Sequence, residues 1–133
     1  MGDNLSKNFF GRYGESLAEG FLKQKGYKIV DRNYRCKYGE IDLIAYDKKC
    51  LVFIEVKTRS SLAFSYPSEA ITGLKKRKII QTSLNYIKEK GLKDVNCRFD
   101  VISIVSSPQQ LPGNELIDLI KGAFDSTSCG YYL

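Results

Sequence analysis

The spacing of apolar side chains predicts one helix and three strands in the first half of the chain. Residues 6–25 carry apolar positions at helical intervals. Residues 27–35, 40–46 and 50–58 are short runs rich in β-branched and aromatic residues, a pattern typical of strands. The short turn at 47–49 separates the second and third runs, so these two strands should form an antiparallel hairpin.

The second half predicts a long helix followed by another strand. The helix should run from about Ser68, a suitable N-cap, to Lys90, and the strand should cover residues 96–105. A helical crossover between the third and fourth strands makes that pair parallel. The pattern over residues 115–124 suits a strand, a helix, or one followed by the other.

Length and composition fit a single α/β domain with a mixed β-sheet flanked by helices, in the order αβββαβ. The domain should occupy residues 1–125 and leave a flexible C-terminal tail over 126–133. No apolar run approaches the roughly 20 residues that cross a bilayer, and the N-terminus lacks a signal-peptide core. We therefore predict a cytoplasmic protein that does not associate with membranes.

The net charge and the residue types present limit the kinds of partner and catalytic site that this chain can have. The net charge of +6, from 21 Lys and Arg against 15 Asp and Glu, favours an anionic partner, nucleic acid first. The chain contains no histidine, which excludes histidine-dependent triads and the common zinc hydrolase sites. The four cysteines lack zinc-site spacing and are predicted to be free thiols. Catalysis would have to use carboxylates, lysine, hydroxyls, thiols or a metal bound by oxygen.

Charged residues interrupt two strands that are otherwise apolar. Asp42 lies in the second strand, and Glu55 and Lys57 lie in the third. A buried carboxylate needs a paired charge or a metal. Counting outward from the turn places Asp42 opposite residue 53 or 54, one to two pairs from Glu55, and two such carboxylates suit Mg²⁺ or Mn²⁺. The alternative is a solvent-facing side of the hairpin on which these charges pair with neighbours.

The expected chemistry is phosphodiester hydrolysis by in-line attack of a metal-activated water. Lys57 shares a strand face with Glu55, where it would orient the water or neutralise charge on the phosphorus. Glu15, on the first helix, would complete the outer ligand shell. Only part of the basic run on the second helix can face one surface, since consecutive helical residues spread around the axis. The residues expected to contact phosphates are Arg59, Lys75, Lys76, Arg77 and Lys78.

Four stretches of the chain resemble a known family. Gly39–Ile44 followed by Val52–Arg59 resembles the PD-(D/E)XK nuclease superfamily. With Gly11–Glu15 and Arg98–Val101 added, the chain resembles the small bacterial YraN-like family over about residues 9–125. The resemblance implies a restriction-endonuclease-like core and kinship with Holliday junction resolvases and other metal-dependent nucleases.

The resemblance also assigns roles by position. It implies that Asp42 and Glu55 are the metal ligands, that Lys57 is the third signature residue, and that Glu15 matches a helix glutamate of many members. It further implies a site role for Gln81, because some nuclease relatives carry a glutamine on that helix.

Taken together, these features predict a Mg²⁺- or Mn²⁺-dependent endonuclease that cleaves DNA, with branched or structured DNA as one candidate substrate. The sequence leaves the substrate structure and the choice between DNA and RNA open. Two alternatives stay open: a non-catalytic nucleic-acid-binding protein with the same fold, and a protein-interaction domain. A resolvase needs two active sites, so a homodimer is expected in that case. In one departure from the superfamily, Ile41 replaces the proline that names the motif.

Overall fold

A computed structural model describes residues 2–60, 72–106 and 116–124 of the chain. Neither of the two helices within these ranges is long and apolar enough to cross a membrane. The predicted tail, 126–133, lies outside the described residues. The elements are α1 (Gly2–Gln24), β1 (Lys28–Cys36), β2 (Gly39–Asp47), β3 (Cys50–Ser60), α2 (Gly73–Glu89), β4 (Asn96–Ser106) and β5 (Leu116–Ile120).

The five described strands form one mixed sheet in the order β1-β2-β3-β4-β5. Strands β1, β2 and β3 form an antiparallel meander, β4 runs parallel to β3, and β5 runs antiparallel to β4. The predicted α/β class, the hairpin and the parallel crossover are confirmed, and the arrangement is that of a restriction-endonuclease-like core. In the segment 115–124, which the sequence left ambiguous, residues 116–120 form an edge strand.

The second helix begins later than its pattern suggests. Its N-cap is Thr72, whose side-chain oxygen accepts a hydrogen bond from the Lys75 backbone N–H over 3.2 Å. The prediction that Ser68 caps this helix is therefore wrong, and Ser68 itself lies outside the described residues. The later start places Lys75 in the first turn of α2, at the end of the helix that faces the charged strands.

The two helices pack on opposite faces of the sheet. Successive residues of β3 point to opposite faces and therefore belong alternately to two apolar clusters, one under each helix. The α1 cluster includes Ala18, Leu22, Tyr27, Leu43, Ala45, Val52, Ile54, Ile102 and Ile104. The α2 cluster includes Ile41, Ile44, Leu51, Phe53, Ile79, Ile80, Tyr86 and Phe99. This three-layer packing buries the centre of the hairpin and leaves the charged ends of β2 and β3 at the border of the core.

Helix α1 approaches β3 most closely at Gly14, where an added β-carbon would overlap the Thr58 Cγ2 methyl group. We predict that Gly14→Ala lowers the free energy of unfolding by about 1–3 kcal/mol, since the overlap forces the helix and strand apart. Gly20→Ala is the matched control. Apart from the neighbouring residues and backbone of the helix itself, nothing lies within 4 Å of a β-carbon there, so the better helix propensity of alanine should stabilise by up to about 1 kcal/mol. Urea unfolding measures both values, and equal effects of the two substitutions would contradict this account of the packing.

Candidate metal centre

Asp42 and Glu55 lie side by side where the pairing of β2 with β3 ends. The last ladder pair is Leu43 with Ile54, and Asp42 and Glu55 are the next residues along the two strands. Beyond this point the Val56 N–H donates to Asp42 Oδ2 over 2.8 Å, so a carboxylate replaces a strand carbonyl as its acceptor. The predicted register is wrong by one or two residues, and the observed register brings the carboxylates closer together.

The environment of Asp42 disfavours its negative charge. Burial raises the pKa of Asp42 to about 7, and the neighbouring charge of Glu55 acts in the same direction. Glu15, on α1, contributes more weakly to the raised pKa, whereas the hydrogen bond from Val56 opposes it. Asp42 and Glu55 therefore form a pair of half-buried acids whose charges repel each other and whose natural complement is a cation.

Two lysines approach Glu55. The Lys75 ammonium lies 2.6 Å from Glu55 Oε1, and the Lys57 ammonium lies 3.7 Å from the same oxygen. Burial lowers the pKa of Lys57, and the nearby Lys75 ammonium lowers it further. Burial also acts to lower the pKa of Lys75, but its hydrogen bonds to Glu55 and Lys57 outweigh that effect and the net pKa is raised. The centre thus contains two acids and two ammonium groups in contact.

The basic run of α2 divides between different surroundings. Lys75 and Lys78 line a small cleft of about 160 Å³, together with Asp42 and Glu55. Lys76 instead places its ammonium 5.9 Å from the centre of the Phe124 ring, away from the carboxylates. Only part of the basic run therefore faces the site, as expected because consecutive residues of a helix point in different directions.

Arg77, Arg59 and Gln81 occupy three different positions around the centre. Arg77 is exposed on α2. Arg59 lies close enough to Lys57 for its charge to lower the pKa of that lysine. Gln81 lies outside the carboxylate cleft and lines a shallow groove of about 330 Å³ that also includes Tyr38. The structure thus places Arg59 near Lys57, whereas Gln81 lies in the separate groove, outside the carboxylate cleft.

The donor set fits a hard divalent cation. Within the described ranges, no group of three or more acidic or cysteine side chains converges on one point. Asp42 and Glu55 alone would hold the ion, which suits Mg²⁺ because it is commonly bound by one or two carboxylates and keeps several waters.

Arg98 and Asp100 belong to a separate network on the α1 side of the sheet. Asp100 is fully buried and accepts hydrogen bonds from Arg98, from the Tyr27 hydroxyl and from the Gly122 N–H. Arg98 also contacts Asp47 over 3.0 Å. These groups stabilise the fold and lie on the other face of the sheet from the α2 cluster.

Sequence reasoning missed two features of the centre: the ion pair between Lys75 and Glu55, and the hydrogen bond that orients Asp42. The basic run did identify Lys75 as a candidate, but as a phosphate contact. No sequence signal links Lys75 to Glu55, because the contact depends on how α2 packs on the sheet, mainly over β2.

The fold and the Asp42, Glu55 and Lys57 arrangement define a protein of the restriction-endonuclease-like, PD-(D/E)XK class. The chain belongs to the family described as "Uncharacterised protein family UPF0102", whose family model matches residues 14–104. This confirms the resemblance to the YraN-like family.

Relatives that carry this family name align with the chain over most of their length. A UPF0102 protein of Geotalea daltonii is 44% identical over 124 residues, covering 93% of this chain and 94% of the relative. One from Caldanaerobacter subterraneus subsp. tengcongensis is 44% identical, covering 90% and 98%. One from Clostridium botulinum is 48% identical, covering 86% and 92%. The match therefore extends over the whole domain rather than over the charged hairpin alone.

Proposed function

We propose that this protein is a Mg²⁺- or Mn²⁺-dependent nuclease that hydrolyses phosphodiester bonds of DNA, with branched or structured DNA as its substrate and the cytoplasm as its location. The observation that carries the proposal is the position of Asp42 and Glu55 on adjacent strands directly beyond the last β2–β3 pair, where both line one cleft and the ammonium groups of Lys57 and Lys75 pair with Glu55. A chain without histidine has few other ways to activate water.

Each residue of the centre has a role suited to its surroundings. Asp42 and Glu55 would hold the cation, and the Val56 N–H fixes the orientation of the Asp42 carboxylate. When bound, a divalent cation supplies positive charge to a phosphate oxygen and acidifies a water ligand. Lys57 is held beside Glu55, so its ammonium is placed to neutralise charge on the phosphate or to orient the attacking water.

The surroundings of the centre support a nucleic acid as the substrate. Lys78 lines the carboxylate cleft, and Arg59 lies near Lys57, so positive charge surrounds the acids. The shallow groove beside the cleft carries Tyr38, a partly exposed aromatic side chain on which a base can stack. The preference for DNA over RNA rests on the superfamily resemblance.

The test is a cleavage assay on branched, single-stranded and duplex DNA and on duplex RNA, with Mg²⁺, Mn²⁺ or EDTA. We expect metal-dependent cleavage of DNA that falls at least about 100-fold in the Glu55→Gln variant, which keeps the side-chain shape and removes the charged ligand. Asp118→Asn, an exposed change on β5, is the matched control and should retain full activity. Cleavage that survives in Glu55→Gln would identify a contaminating nuclease. Salt-sensitive binding without cleavage would favour the non-catalytic alternative.

A further inference from the structure

The Lys75 ammonium occupies the position where a cation would bind Glu55. It lies 2.6 Å from Glu55 Oε1, the distance of a charge-assisted hydrogen bond. The Glu55 side chain is only 12% exposed, so this oxygen has little access to bulk water. A metal ion that binds Glu55 through this oxygen would therefore compete with the lysine for it.

We propose that Lys75 is the built-in counter-ion of the metal-free centre, that a divalent cation displaces it from Glu55, and that the freed ammonium then binds a phosphate of the DNA substrate. This inference rests on the proposed function and adds to it a coupling between metal binding and phosphate binding. It assigns to Lys75 a role distinct from those of the other basic residues of α2.

Lys75 is the lysine of this pair that can move. Its backbone is fixed in the first turn of α2, where its N–H bonds to Thr72 Oγ1 over 3.2 Å. Its side chain is 37% exposed, against 22% for Lys57, and its long flexible stem lets the ammonium swing while the backbone stays in place. Lys57 lies further from Glu55 and is more enclosed, so it is expected to stay.

Charge balance gives the exchange its direction. In the metal-free centre, the ammonium groups of Lys57 and Lys75 offset the carboxylates of Asp42 and Glu55. A divalent cation added to this set would leave an excess of positive charge, which departure of Lys75 relieves. The phosphodiester backbone is the anion that enters the site, so the displaced ammonium acquires a partner there. Metal and DNA should therefore strengthen each other's binding reciprocally.

The first test measures Mn²⁺ affinity by titration calorimetry at fixed pH and ionic strength. Lys75→Gln should bind Mn²⁺ about 5–10-fold more tightly than the wild type, because the competing ammonium is absent. Lys78→Gln removes a positive charge from the same cleft without removing a contact to Glu55 and is the matched control. We expect it to change the affinity by no more than about twofold, as screened charges do. Equal changes in the two variants, or weaker binding by Lys75→Gln, would overturn the proposal.

The second test measures the coupling with a duplex oligonucleotide whose phosphorothioate linkages resist hydrolysis, using fluorescence anisotropy with and without Mn²⁺. Mn²⁺ should tighten oligonucleotide binding about 5–10-fold in the wild type and less than about twofold in Lys75→Gln. An unchanged coupling in Lys75→Gln would overturn the role of the freed ammonium. If both tests succeed but the protein cleaves no DNA, the inference stands and the proposed nuclease activity fails. If neither the wild type nor Lys75→Gln binds Mn²⁺, both fail.

Discussion

Asp42→Asn is expected to abolish metal binding and cleavage while making the metal-free protein more stable. The amide keeps the oxygen that accepts the Val56 N–H, so the local fold should persist. It lacks the charge that binds a divalent cation. Loss of residues that only support a metal ligand commonly costs 10–100-fold in metal affinity, so loss of a direct ligand should cost at least about 100-fold. Cleavage should fall at least as far.

The gain in stability comes from removing a buried negative charge beside Glu55, whose cost the raised pKa of Asp42 reveals. A shift from 3.8 to about 7 sets a ceiling of about 4 kcal/mol on the cost of ionising this group in the fold. Solvent screening reduces that cost, and we expect Asp42→Asn to raise the free energy of unfolding by about 1–2 kcal/mol at pH 8.

The pH dependence of this gain has a definite sign. An acid whose pKa is higher in the folded protein keeps its proton longer in the fold than in the unfolded chain. Wild-type stability from this group therefore declines as the pH rises from about 4 to about 7 and stays lowered above that range. The difference between Asp42→Asn and the wild type should be near zero at pH 3.5 and reach its maximum above pH 7.

Urea unfolding across this pH range, with and without Mn²⁺, measures the whole effect. Mn²⁺ should stabilise the wild type and leave Asp42→Asn unchanged. Asp31→Asn, on the edge strand β1 away from the centre, controls for the general loss of a negative charge. A destabilised Asp42→Asn variant at pH 8 that still responds to Mn²⁺ would contradict the metal centre.

Asp100→Ala is expected to lower the free energy of unfolding by about 3–5 kcal/mol. Both carboxylate oxygens of Asp100 are buried and fully used by Arg98, Tyr27 and the Gly122 N–H. Alanine would leave the Gly122 N–H and part of the Arg98 guanidinium without their acceptor in a dry environment. The free energy of unfolding from urea titration measures this cost.

Two further variants keep the Asp100 prediction testable if the alanine variant does not fold. Asp100→Asn retains the shape and one acceptor, and should cost roughly 2–3 kcal/mol. Asp47→Asn removes the more exposed partner of Arg98 and should cost less than about 1 kcal/mol. A loss below about 1 kcal/mol in Asp100→Asn would show that this buried network contributes little. Mn²⁺ binding should be unchanged in variants that fold, because Asp100 lies on the α1 side of the sheet.

The order of helices and strands was predictable because it follows from local patterns. The meander β1–β3 and the crossover to β4 depend on short turns and on apolar periodicity, which can be read without tertiary information. The register of the β2–β3 hairpin was not predictable in this way. The turn was counted as residues 47–49, whereas Asp47 pairs with Cys50 and leaves only Lys48 and Lys49 in the loop. A tighter turn by one residue shifts the facing pairs along the whole ladder.

The acids of the candidate centre were predictable for the same reason, since charges in apolar strands are visible in sequence. The position of Lys75 on Glu55 was not predictable, because it depends on how α2 docks on the sheet, which the local pattern of the helix does not encode. The N-cap of α2 could not be predicted from residue type alone either. Both Ser68 and Thr72 are suitable caps by residue type, and the hydrogen bond from the Lys75 N–H decides between them.

The pairing of β3 with β4 has a consequence for the order in which the molecule assembles. These strands align over eleven consecutive pairs although they lie roughly 45 residues apart in the chain, so their contact carries the largest loop-closure entropy in the sheet core. The β2–β3 hairpin needs only a two-residue loop, and isolated hairpins form in about 1–10 microseconds. Asp42 and Glu55 are thus juxtaposed by the segment of the sheet that closes fastest, and the slower arrival of β4 buries the strands beneath them. The two acids therefore meet through local contacts, whereas the rest of the sheet around them depends on pairing between distant segments.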